Sequence, residues 1–205
     1  MLPFARPAVF NLTLSTPSPL TYDEGITPKH TLNVHDLDGS NREWTVQASI
    51  SKISIYNSKN LTLRLPGRII TSTIDIWKSS NLRIIIDSPS VLGTLQLDPT
   101  LEDVKIQYVD PESIGKIVLA PLKDKEGNSF GFKNLSFQAG RGGREYVLAD
   151  HEGNLFDPRD REVLIKAGDP DAGVEGQWVL SFEEGDGEGW RVEGLRRGAM
   201  DYPIL

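Results

Sequence analysis

At 205 residues, 38% hydrophobic and 25% charged, the chain is long enough to bury one sizeable core and too apolar to be disordered throughout. It has no cysteine, which removes disulfides, thiolate nucleophiles and cysteine-based zinc sites, and its net charge of -7 is opposite to the basic footprint that nucleic acids and anionic membranes require. With no apolar run of about 18 residues and no signal-peptide-like start, the expectation is a cytoplasmic protein that binds neither nucleic acid nor membrane.

Residues 1–29 are rich in proline and contain NLTLSTPSPLTY, which reads as an extended arm suited to capping an open end of β-structure. From residue 30 a repeat sets in. ISIYNSKNLTLRL, Ile53 to Leu65, overlays IDIWKSSNLRIII, Ile74 to Ile86, without a gap and at a spacing of 21 residues. Leu32/Val34 stands one register upstream, Leu95/Leu97 one register downstream, and Ile117/Leu119 one further with an extra residue. The second half of the unit recurs as Leu61, Leu63, Leu65, then Leu82, Ile84, Ile86, then Val104, Ile106, Tyr108. Apolar and polar residues alternate, and the apolar ones are mostly β-branched or Leu, the pattern of strands with one buried face. Two short strands per unit of constant length predict an all-β fold: a right-handed parallel β-helix over 30–122 with coils of about 21 residues, in which Ile53, Ile74, Leu95 and Ile117 form one interior column.

Between the two strands of each unit lie polar corner segments, YNSKN, WKSSN and DPTLED, with Asn60 and Asn81 at one corner where Asn tolerates left-handed backbone. Gly67, Gly93 and Gly115 are expected on a third side of the coil. HDLDGSNRE, His35 to Glu43, has a D-x-D-G start but lacks the third acidic ligand and the Glu at the right distance for a calcium loop, and reads as a hairpin turn. After Leu122 the register is lost. REYVLAD, REVLIKAG, GQWVLSF and GWRVEGL then read as short strands separated by Gly- and Asp-rich turns, a hairpin-rich extension over 123–205.

Catalytic patterns are thin. His30, His35 and His151 have no zinc-binding spacing, DHEGNLFD is written like a surface turn, and GRGGRE lacks the Lys-Ser/Thr of a phosphate loop. No catalytic residue, metal ligand or cofactor is expected. A binding face is easier to find. If Leu61, Leu63, Leu82, Ile84, Val104 and Ile106 point inward, the outward residues are Thr62, Arg64, Arg83, Ile85, Lys105 and Gln107. Arg83 and Lys105 then lie one above the other with Arg64 diagonal to them, a small basic column that either meets an acidic partner or simply solvates the strand face. Trp77, at a corner, is either an interface anchor or a residue packed against a terminal segment.

The run STIDIWKSSNLRIIIDSPSVLGTLQLDPTLEDVKIQYVDPESIGKIVLAPL resembles the β-helical C-terminal domain of cyclase-associated proteins, which is related to the domain of tubulin-folding cofactor C. The resemblance covers about residues 30 to 122 and rests on the I-x-I-x-x-S coil motif, the strand Thr94 to Leu97 and the closing KIVLAPL. It implies actin-monomer binding in one branch and GTPase activation through an arginine in the other, with a homodimer formed through the segment after the β-helix. The position that matches the activating arginine is Asp75 here, and Ser54 one coil earlier, and an acid cannot stabilise a phosphoryl-transfer transition state. The expected function is therefore a non-enzymatic protein-binding module with a protein partner, actin or another cytoskeletal protein. The alternative is a carbohydrate-binding or carbohydrate-active β-helix, for which only Asp75 and Trp77 speak.

Overall fold

The computed structural model describes residues 8–88, 90–98, 100–120, 122–123, 129–166, 177–183 and 189–195. Among the described residues strand makes up 60% and helix 4%, and the strands wind into a β-solenoid of about 5 turns with coils of about 21 residues. In chain order, β1 (Ala8–Asn11) belongs to the N-terminal arm. The coils follow as the pairs β2 (His30–His35) and β3 (Asp38–Thr45), β4 (Lys52–Tyr56) and β5 (Lys59–Leu65), β6 (Thr73–Trp77) and β7 (Ser80–Ile86), and β8 (Leu92–Leu97) and β9 (Leu101–Tyr108). β10 (Ile114–Leu119) opens the next coil. A two-stranded insertion, β11 (Leu122–Lys123) and β12 (Ser129–Phe130), comes before β13 (Phe132–Ala139), which closes that coil. The remaining strands are β14 (Glu145–Ala149), β15 (Leu155–Phe156), β16 (Val163–Ile165), β17 (Gln177–Glu183) and β18 (Gly189–Leu195).

Within a coil the two strands do not pair with each other; each pairs in parallel with its equivalent one coil away. The first sheet runs β1-β2-β4-β6-β8-β10-β17-β18 and the second β16-β15-β14-β13-β9-β7-β5-β3. The register is the one written in the repeat. Leu32 sits opposite Ile53, Ile53 opposite Ile74, Ile74 opposite Leu95 and Leu95 opposite Ile117. In the second sheet Leu61, Leu82, Val104 and Leu135 follow one another in the same way. The first-sheet column is fully buried, and Leu82, the most exposed of the second-sheet four apart from Leu61, is only 2% exposed. Each such side chain contributes about 2 kcal/mol by leaving water. A shift by one residue would turn a whole strand inside out, so the period fixes the pairing.

In two successive coils the motif also places a serine just inside the turn, and burial makes it a structural demand. Ser58 and Ser79 are 1% and 3% exposed. The Ser58 hydroxyl donates to the Val34 and Tyr56 carbonyls, 2.9 Å each, and accepts from the Leu37 amide at 3.2 Å. One coil on, Ser79 donates to the Trp77 carbonyl at 2.9 Å and accepts from the Ser58 amide at 3.1 Å. Each serine thus supplies an acceptor to the coil before it, and the buried corner amides are satisfied.

Two expectations are corrected. The segment His35 to Glu43 is not a hairpin: β2 pairs with β1 and β4, and β3 with β5, so the turn is a coil corner. It carries two extra residues, since Asp38 faces Lys59 and Arg42 faces Leu61, and within that span Ser40 takes up the slack at positive φ. Of the three glycines assigned to the third side, only Gly67 lies between strands; Gly93 and Gly115 lie inside β8 and β10. At Gly115 the coils approach so closely that a Cβ would lie 2.0 Å from the Leu92 carbonyl oxygen.

Both ends of the solenoid are covered. Residues 12–20 fold over the free edge of β3. There the Leu20 amide donates to the Thr45 carbonyl at 2.7 Å, the Thr45 amide to the Ser18 hydroxyl at 3.0 Å, and the Trp44 indole to the Thr16 carbonyl at 3.1 Å. β1 extends the first sheet by one more parallel strand. At the other end both sheets change sense: β17 runs antiparallel to β10 and β14 antiparallel to β13. The second sheet therefore continues past Leu122 into β13 before the hairpins begin.

Candidate binding face and cleft

The outward positions of the second sheet are where alternation put them. Arg83 faces Lys105 directly, and Arg64 is one coil back on the neighbouring outward row. Most of this basic column is answered within the chain. Arg64 lies 3.4 Å from Glu43 and 3.6 Å from Asp87, and Lys105 lies 3.0 Å from Glu145. The Lys105 ammonium and the Ser136 hydroxyl, 2.8 Å away, hold the Glu145 carboxyl below the usual glutamate value. Arg83 differs. It is exposed, its guanidinium donates to the Gln107 amide oxygen at 3.1 Å, and among the described residues no carboxylate comes within ion-pairing distance. Ile85, an outward position by alternation, is only 2% exposed, so this face is less open than its pattern suggested. The counterions Glu43, Asp87 and Glu145 were invisible as partners in the sequence, because the coil brings together residues one or more turns apart.

Beside this column runs a second ladder, at the outer corner where β3, β5, β7, β9 and β13 begin. Asn41, Asn60, Asn81, Asp103 and Asn134 all have φ between 48° and 63°, the left-handed conformation that Asn and Asp adopt more readily than other side-chain-bearing residues. Beyond Asn41 the side chains bond along the axis, the amides of Asn60, Asn81 and Asn134 each donating to the coil before it. Asn60 donates to Asp38 at 3.0 Å, Asn81 to Asn60 at 2.8 Å, and Asn134 to Asp103 at 2.7 Å. The chain of bonds is broken between Asn81 and Asp103. Both would present oxygen acceptors to each other there, and a carboxylate has no proton to donate. Among the described residues Asp103 has no cationic partner.

The break and the lone arginine open onto one place. A cleft of about 280 Å³ is lined by Asn41, Thr62, Asn81, Arg83, Asp103 and Lys105, with Leu61 and Leu82 at its floor. Acceptors stand on the corner side and cations on the sheet side. The sequence places Asp103 in the same column, since it precedes Val104 as Asn60 precedes Leu61 and Asn81 precedes Leu82, but the extra residue of DPTLED disguises the match with YNSKN and WKSSN.

Trp77 belongs to another surface. It ends β6 on the outward row of the first sheet, with its ring 5.2 Å from Tyr56 one coil back and 6.2 Å from His35 one coil further. Its ring partners are thus neighbouring coils. The Tyr56 and Trp77 rings meet at a tilt of 37°, His35 meets both edge-on, and Lys78 lies 5.6 Å over the Tyr56 ring. Asp75, one outward position earlier, forms an ion pair with Lys52 of the previous coil. Its neighbours in the column, Ser54 and Gln96, are uncharged, so no arginine stands on this outward row of the described first sheet at those coils.

The C-terminal turns are structural. Asp150 accepts from the amides of Glu152, Gly153 and Asn154, 2.9 Å each, closing the turn from β14 to β15, while His151 is exposed and 4.0 Å from Glu152. No group of three or more metal-ligating side chains occurs among the described residues. No helix there is long and apolar enough to cross a membrane. Compared with family models, curated proteins and solved structures, the chain finds no match.

Proposed function

We propose that the chain is a non-enzymatic protein-binding module that presents the outer face of its second sheet to an acidic group on a protein partner. The observation that carries this reading is Arg83: an exposed cation, at the mouth of a cleft, left without a carboxylate on a chain of net charge -7 whose neighbouring cations Arg64 and Lys105 are paired. An uncompensated charge of the minority sign steers an oppositely charged partner and fixes register more than it adds affinity. The cytoskeletal partner, actin in the first instance, and the cytoplasmic setting come from the resemblance to cyclase-associated proteins and belong to the same proposal. A homodimer through the C-terminal extension is supported by β18, which stands at the end of the first sheet with one side paired to β17. Asp75 in place of an arginine supports the expectation that the protein does not accelerate GTP hydrolysis on tubulin or small GTPases.

The test is capture of purified monomeric actin, and of proteins from native extract, by the whole chain and by Arg83→Glu at low and physiological salt. Recovery should fall in the variant and its salt dependence should flatten, with the thermal midpoint unchanged because Arg83 is exposed. Equal recovery from both proteins at both salt concentrations would remove this face.

A further inference from the structure

Arg83 and Asp103 line the same cleft with opposite charges, yet no ion pair joins them, and among the described residues neither has a charged partner of its own. Among the described residues the Arg83 side chain bonds to the Gln107 amide and the Asp103 carboxylate to the Asn134 amide. Ordinary surface charges this close either pair or splay into solvent; here each is anchored by a neutral group that fixes its position without neutralising it. We propose that the cleft binds a small zwitterion, of the kind a free α-amino acid presents: an ammonium at the broken Asn81–Asp103 junction and a carboxylate at Arg83, with Lys105 beside it.

The chemistry on each side fits. The junction offers two oxygen acceptors on adjacent coils, Asn81 and Asp103 lying between the paired residues Ser80–Glu102 and Leu82–Val104, and an ammonium supplies three donors and no acceptor, which the corner ladder lacks at that step. Adjacent paired strands bring such side chains to about 5 Å, close enough for one ammonium to bridge both. The guanidinium on the other side takes a carboxylate in a forked geometry. A divalent cation suits the site less well, since it would meet one carboxylate and two positive side chains. The volume of about 280 Å³ holds a molecule of amino-acid size. This site needs no protein partner. It shares Arg83 with the reading above, but Asp103 and Asn81 are its own.

The test is amide-resolved NMR titration of the whole chain with glycine, and separately with acetate and with methylammonium chloride. Glycine should shift the side-chain signals of Asn81 and Asn134 together with the Arg83 Nε–H, and should bind at least tenfold more tightly than either single-charge probe. Asp103→Asn and Arg83→Gln should each weaken glycine at least tenfold while leaving the backbone spectrum of the remaining coils in place. Asp103→Asn spares the basic face, so it separates this inference from the protein-binding reading. Glycine binding no tighter than acetate, or glycine binding that survives Asp103→Asn, would overturn it.

Discussion

Two polar ladders climb the same side of the solenoid, and they differ in the way their surroundings dictate. The inner one, Ser58 and Ser79, is buried, and every hydroxyl both donates to a carbonyl and accepts from the preceding coil's amide. The outer one, from Asn60 to Asn134, is exposed apart from the half-buried Asn60, and it tolerates a missing bond between Asn81 and Asp103. Burial accounts for the contrast: an unsatisfied polar group costs about 1–3 kcal/mol away from water and far less when water reaches it. A repeat is held to its pattern where the interior enforces it and is free to depart from it at the surface, and the departure here borders the cleft lined by Arg83 and Asp103.

The interior side of this contrast should break most severely. Ile76 is fully buried between Ile55 and Leu97, so Ile76→Asp places a carboxylate in a continuous apolar column and should leave no cooperative unfolding transition at any temperature. A soluble variant that melts cooperatively near the wild-type temperature would contradict the inward register. Ser79→Ala removes the acceptor of the buried Ser58 amide and should lower stability by about 2 kcal/mol in urea unfolding. The outer equivalent Asn60→Ser, which keeps a polar side chain in water, should cost less than the serine change; the reverse order would mean the two ladders are not distinguished by burial.

A smaller effect sets the hairpin end apart from the coils. Lys105 and Ser136 hold the Glu145 carboxyl low. At Asp157 burial pushes the carboxyl up, but the Arg159 guanidinium, bonded through Nε at 3.0 Å to both oxygens, outweighs it and leaves the value lowered. Lowered native values mean that the stability these groups add is complete above the unfolded-state value of about 4 and is lost as pH falls through the native values. Acidification below pH about 4 should therefore speed hydrogen exchange in β14 and in 157–162 before it does so in β4 to β7. Simultaneous loss of protection in both regions would show that the cap is not the acid-sensitive part.

The legibility of the sequence follows the same division. The columns Ile53-Ile74-Leu95-Ile117 and Leu61-Leu82-Val104 could be read residue by residue, because a buried strand face permits few residue types and a one-residue slip exposes them all. Arg64, Arg83 and Lys105 could be placed on an outward row by alternation. Their counterions could not, because Glu145 reaches Lys105 through a hairpin that the repeat does not encode. The corner at His35 to Glu43 was misread as a hairpin because its two extra residues disguise the turn. Asp103 stands in line with Asn60 and Asn81 already in the sequence, one residue before Val104, but a carboxylate in an asparagine column becomes a broken step only once the side-chain bonds of the ladder are seen.

The most direct measurement is the urea unfolding midpoint of Asp103→Asn against the wild type. The new side-chain amide would donate to Asn81 in the same sense as the other bonds of the ladder while its oxygen still accepts from Asn134, so the break would close. The account predicts a gain of about 0.5 kcal/mol with an unchanged slope, a surface-ladder bond added and no interior disturbed. A midpoint equal to or below that of the wild type would mean that Asn81 and Asp103 do not form a broken step.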